Sequence, residues 1–229
     1  MKIMKKTTLL VLLVVICACN KKVVELPEIS HSDITEIQDV SAAYLFYDET
    51  QPDSVLLNRK NLISTTNWLV NIDKRLTLKQ VIPYIKFLQE KKANAGHKNE
   101  HAKNYFTCHD TGRNNLGFVE FTEITYHSKE PINFISKISD IPTKYQIILN
   151  FNSKENIEIL HFVHLEEIKT NLVGLKNYLK NISNSLNKDI ELLVGFKETS
   201  SFQDYISNKS KLLKLDLENV TISKNEFIY

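Results

Sequence analysis

Four residues in one polar stretch carry the side chains best suited to chemistry: His97, His101, Cys108 and His109. A His-x3-His pair on a helix would turn two imidazoles toward one zinc ion, with the Cys108 thiolate as a third ligand. No glutamate follows His97 in the HExxH manner, and the stretch reads as a loop, so solvated histidines are the favoured reading. Cys108 and His109 make a poor nucleophile and base, because adjacent side chains usually point apart. His161 and His164 lie three apart on a strand and face opposite sides of it. Asp33, Glu36 and Asp39 lack the glycine turn and spacing of a calcium loop and read as solvated charge. Tyr44, Phe46, Tyr47 and Trp68 could line a sugar or peptide groove, although a strand core explains them as well. Asp73-Lys74-Arg75 reads as a charged turn after a strand. No catalytic residue, cofactor or metal ligand is assigned.

One residue does have a defined chemical fate. Lys2, Lys5 and Lys6 precede an unbroken apolar run, Leu9 to Ile16, which Lys21 and Lys22 close off. A spanning helix needs roughly 20 apolar residues, so this run is a signal-peptide core and not a permanent span. Its end, Ile16-Cys17-Ala18-Cys19, resembles the lipobox of bacterial lipoproteins. The resemblance implies cleavage after Ala18, leaving residues 1–18 as the signal peptide and Cys19 as the lipid attachment site. Cys17 is the competing cysteine, but Ile16 is too bulky to precede the cut. Several acyl chains at ~0.8 kcal/mol per buried methylene would hold the protein on a membrane as one chain cannot. Asn20, not an aspartate, follows Cys19, which by the enterobacterial sorting rule favours the outer membrane over the inner. This places the chain in the bacterial cell envelope.

Processing also changes the charge. The whole chain is formally +2, but losing three lysines takes its 29 basic residues to 26 against 27 acidic ones. A near-neutral mature protein gives no case for nucleic acid. Cys17 is discarded and Cys19 lipidated, so Cys108 is left as the single thiol and an intramolecular disulfide is excluded. Glycine is scarce, at five residues, and no GxGxxG or Walker loop is present for phosphate.

The element pattern is α+β, in two sheet-plus-helix halves. Residues 19–40 read as a tether. The first half, 41–127, opens with a hairpin, Ala43–Tyr47 and Ser54–Asn58, then a strand at Trp68–Ile72. Thr77-Leu-Lys-Gln80 has capping-box form, and Leu78, Val81, Ile82, Ile85 and Leu88 follow at helical spacing. Residues 89–116 read as an insertion loop and Leu116–Tyr126 as a strand; 127–144 is a linker. The second half, 145–229, has strands at Tyr145–Phe151 and Ile157–Val163. A helix follows on the stripe Ile168, Leu172, Leu175, Leu179, Ile182 and Leu186. Then come a strand at Asp189–Phe196, a second capping box at Ser200–Gln203 with its helix, and a strand at Lys214–Ile222.

Leu69-Val-Asn-Ile72 with Thr77–Ile82 parallels Leu193-Val-Gly-Phe196 with Ser201–Ile206 at a constant offset of 124 residues, which suggests a tandem duplication. The order strand-turn-strand, helix, strand, helix, strand resembles the periplasmic domain of the biopolymer-transport ExbD/TolR family, best over residues 145–222. Members of that family carry a transmembrane helix with a buried acid, which a lipid anchor replaces here. The resemblance therefore implies a module that dimerises or binds partners, and no motor role. The expected function is a lipid-anchored, non-catalytic module meeting a protein or cell-wall partner. The alternative is a lipid-anchored hydrolase or metal-dependent enzyme using the 97–109 loop.

Overall fold

The computed structural model describes residues 22–135, 144–153, 156–161, 167–186, 188–215 and 217–229. The signal segment, Cys19 and His164 lie outside these residues. The architecture is α+β, as the pattern predicts, with four α-helices and two six-stranded sheets among the described residues.

The first sheet is ordered β3-β2-β4-β5-β1, with β6 on the other edge of β5. Its strands are β1 (Glu28–Ile29), β2 (Val40–Tyr47), β3 (Val55–Asn58), β4 (Asn67–Ile72), β5 (Asn104–Asp110) and β6 (Asn115–Glu120). The second is ordered β10-β9-β8-β11-β12-β7. It comprises β7 (Thr125–His127), β8 (Tyr145–Phe151), β9 (Ile157–His161), β10 (Glu167–Thr170), β11 (Ile190–Phe196) and β12 (Val220–Ile228). The helices are α1 (Leu78–Ala93), α2 (Pro131–Ile135), α3 (Leu172–Leu186) and α4 (Phe202–Leu213).

Each half uses one plan: an antiparallel hairpin, a strand parallel to its first arm, a helix, and a further parallel strand. Each also begins with a short strand parallel to its last, β1 on β5 and β7 on β12. The helices α1 and α4 meet head to head. Leu78 and Lys79 donate their N–H groups to Ser200 O (2.9 Å) and Glu198 O (2.8 Å). Phe202 and Gln203 donate reciprocally to Leu76 O (2.7 Å) and Lys74 O (3.2 Å). Every residue of one set lies 124 positions from its counterpart, and Thr77 bridges Ser201 on the apparent two-fold. One apolar core spans both halves, with Phe106 edge-on to Phe202 and Tyr205 edge-on to Phe196.

Several sequence expectations are corrected. Residues 22–35 of the expected tether are part of the fold. His109 N donates to Pro27 O and Thr111 N to Ile29 O, at 2.8 and 2.9 Å, and Ile29 is buried. The expected insertion loop 89–116 holds the end of α1, β5 and the start of β6. Most of β5 is buried on both faces, so its side chains never alternate in polarity. The strand expected at 116–126 breaks after Glu120, and β7 crosses to the other sheet. Ile168 belongs to β10, not to the helix, and α2 lies in the expected linker. The last strand is β12, well beyond the expected Lys214–Ile222, and the second N-cap is Ser201 rather than Ser200. The second half carries β10 and α3 in addition to this plan; in the first half residues 59–66 stand in their place.

The N-terminal segment is fixed by three aspartates at the carboxyl ends of strands. Asp48 pairs with Lys22 at 2.5 Å, and Asp73 accepts from Glu25 N at 3.2 Å and from the Arg75 side chain. Asp110 accepts from Ser32 N at 2.9 Å and from the Arg113 guanidinium. Burial opposes ionisation of Asp110. The Arg113 side chain and the Ser32 and Arg113 N–H groups outweigh it and hold the carboxyl at about 2. Asp73 is lowered against burial by Arg75 and the Glu25 N–H. Asp48 is held at about 2, chiefly by Lys22 and Thr50. The segment passes so close to the β5–β6 hairpin that a Cβ on Gly117 would lie 2.6 Å from Ser32 Cβ.

Within the second half, Lys209 forms a buried ion pair with Glu226 and Tyr205 donates to Glu226 at 2.7 Å, while the Tyr126 hydroxyl lies 3.2 Å from that of Tyr205. Burial raises both tyrosines, and Glu226 adds to it.

Two outcomes follow. All three aspartates are lower folded than free, so the clamps act fully above about pH 5 and weaken as pH falls, those of Asp48 and Asp110 through about 2. Hydrogen exchange should show residues 22–35 losing protection toward pH 2 before α4; simultaneous loss would contradict the clamps. Glu226→Gln leaves Lys209 buried without its anion and should destabilise by about 3–5 kcal/mol in urea, with Lys209→Met/Glu226→Leu restoring most of that.

Candidate partner-binding groove

The structure disperses the residues that the sequence groups. His97 and His101 are exposed in the connection before β5, whereas His109 lies near the far end of that strand, roughly 17 Å from its first residue. Its Nε2 lies 3.2 Å from Asn114 Oδ1. Cys108 points into the core with no exposure, and burial pushes its thiol up to about 12. No group of three His, Cys, Asp or Glu suited to a metal occurs among the described residues. His161 packs edge-on to Tyr178 and lies 3.0 Å from the Tyr145 hydroxyl. Asp33 and Glu36 are exposed, and Asp39 ends the N-terminal segment with φ of 50°.

The aromatic set divides by strand face. Tyr44 and Phe46 stack on the outer face of β2 at 5.9 Å. Tyr47 lies under the Arg75 guanidinium at 4.8 Å. Trp68 is buried in the core and donates to Ile63 O at 2.7 Å. These rings do not line one groove. Asp73-Lys74-Arg75 is the charged turn expected after β4, closed by Leu76 N donating to Asp73 O at 3.2 Å, and the Asp73 carboxylate in it also serves as a clamp.

What sequence reasoning missed is a series of hollows along α1. One, of about 620 Å³, lies between β3 and the end of α1, lined by Leu56, Leu57, Asn58, Arg59, Lys60, Leu62 and Lys91. It shares Arg59, Leu62 and Lys91 with a second of about 620 Å³ that also touches Trp68, Phe87 and Glu90. The Arg59 guanidinium stands 4.9 Å over the Phe87 ring, which is 41% exposed. A third hollow, of about 590 Å³, runs between α1 and residues 98–104 and 122–126.

The first two hollows exist because the first half is incomplete. In the second half, α3 covers the core face of β8 and β9, so Ile157 and Ile159 have no exposure. In the first half, Leu57 is half-buried, with residues 59–66 its partial cover. Two sequence signals could have pointed here: the eight residues, 59–66, between hairpin and strand where the repeat has a helix, and Phe87 off the buried stripe of α1.

Among the described residues, Lys92 is the one lysine with a depressed pKa. Burial lowers it to about 8, while its Nζ donates to Lys103 O (3.0 Å) and Asn104 Oδ1 (2.9 Å) and stands 5.1 Å from the centre of the Trp68 ring. These contacts fix the end of α1 to β5. Apolar floor, cationic rim and half-buried ammonium are features of a binding surface; acid, base and nucleophile are not gathered there. No helix among the described residues is long and apolar enough to cross a membrane.

Comparison with protein-family models, curated proteins and solved structures gives no match. The ExbD/TolR resemblance thus rests on the element order of the second half.

The buried, high-pKa thiol of Cys108 should resist iodoacetamide at pH 8 in the folded protein and react fully in denaturant. Stoichiometric labelling of the native form would contradict its place in the core.

Proposed function

We propose that this chain is a lipid-anchored protein of a bacterial cell envelope, held through Cys19, whose body is a non-catalytic module for binding a partner. Asn20 after the cysteine favours the outer membrane. The observation that carries the reading is the open, cation-rimmed groove beside α1, in a protein whose candidate catalytic residues are spread over separate faces and the core.

The clamped N-terminal segment sharpens the role of the anchor. Three peptide steps from Cys19 to Lys22 reach at most about 11 Å. Lys22 is then tied to Asp48 at the end of β2. A lipidated Cys19 would hold the carboxyl ends of β2, β4 and β5 close to the headgroups. α1 runs away from that end, from Leu78 to Ala93, so the groove at Arg59 and Lys91 would face the compartment. The anchor would therefore orient the body as well as retain it.

Cys19→Ser should abolish incorporation of labelled fatty acid and leave soluble or unprocessed protein. Labelling that survives Cys19→Ser and disappears with Cys17→Ser would move the anchor to the other cysteine.

A further inference from the structure

We propose that the two adjoining hollows between β3 and the C-terminal half of α1 receive an amphipathic helix of a partner protein, with an apolar face on Leu57, Leu62 and Phe87 and carboxylates facing Arg59, Lys60 and Lys91. This rests on the partner-binding reading above and names the partner's chemistry. Two independent observations carry it.

The first is internal. The same sheet plan occurs twice in this chain, and the second copy fills this position with its own helix, α3. That helix presents Leu175 and Leu179, both without exposure, to the sheet. The floor it covers, Ile157 and Ile159, corresponds to the strand that bears Leu57 in the first half. The geometry at this place in the plan therefore accepts a helix against the sheet, and the first half supplies only residues 59–66.

The second is charge. Arg59, Lys60 and Lys91 line the hollow against β3 with no carboxylate, and in the adjoining hollow that holds Phe87 a single carboxylate, Glu90, stands beside Arg59 and Lys91, so the groove as a whole stays cationic. An acidic helix would complement them, whereas a basic one would be repelled. α3 itself, with Lys176 and Lys180, has the wrong charge, so a second copy of this chain docking by that helix does not fit. A bilayer is the other polyanion near a lipid-anchored protein. The tether enters beside Asp48, while Lys91 lies about 13 helical residues beyond Leu78, roughly 20 Å further along α1. The groove is thus at the end away from the membrane that would hold the chain.

The test uses the mature lipidated protein in nanodiscs and a fluorescent 15-residue amphipathic helical peptide with leucines on one face and glutamates flanking them. Its lysine counterpart serves as control. The acidic peptide should bind and protect residues 56–62 and 87–91 from hydrogen exchange. Arg59→Glu/Lys91→Glu, two changes at exposed positions, should weaken it about tenfold. Equal binding of both peptides, no effect of the double variant, or protection of the patch by phosphatidylglycerol instead would overturn the proposal. A parallel capture from envelope extract separates the two readings. Partners held equally by wild type and double variant would sink the groove but keep partner binding; no partner on either would remove both.

Discussion

Everything in this fold depends on how two helices begin. The first N–H groups of a helix have no partner within it, and burying them unsatisfied is costly. Here α1 and α4 solve the problem for each other. The donors of Leu78 and Lys79 go to carbonyls of the second half, and those of Phe202 and Gln203 to carbonyls of the first. The next donor in each is taken by the helix's own cap, Thr77 for Gln80 and Ser201 for Asp204. Separating the halves would expose four donors as well as the shared aromatic core. The seam also explains where buried charge is tolerated. Lys209, Glu226, Tyr205 and Tyr126 sit beside it as a chain of partners, each polar group meeting another.

The N-terminal segment shows how a chain with weak local propensity becomes ordered. Pro27 and Ile29 are its apolar contribution, and β1 is two residues long. Carboxylates at strand ends and the Gln203 amide, which both accepts from and donates to the Glu28 backbone, supply the rest. On the proposed reading the same clamps turn a flexible lipid tether into a fixed mounting.

The legible parts of the sequence were the periodic ones. The α1 stripe, the hairpins and the Thr77 cap could be read because local periodicity and tertiary burial agree there. All five apolar positions marked on α1 are buried. The 124-residue offset was legible in a few aliphatic residues, and the seam gives that offset a physical meaning. β5 was not legible, since burial on both faces erases alternation while Asn104, His109 and Asp110 make it look like loop. β12 was obscured by Ser223, Lys224, Asn225 and Glu226, and Glu226 is buried because Lys209 and Tyr205 meet it. Of the candidate site nothing was legible as a groove, because it is defined by an element the first half does not have.

By itself, then, the sequence determined the α+β class and the internal repetition, because these rest on local periodicity, and the short motif ending at Cys19 is what the proposed lipid attachment rests on. The tertiary structure decided which side chains meet. It put Cys108 in the core and His97 and His109 at opposite ends of β5. It made Asp73 and Asp110 clamps and opened the hollow under Arg59 and Lys91. Those outcomes come from strand pairing and helix placement between residues far apart in the chain, which no local pattern encodes.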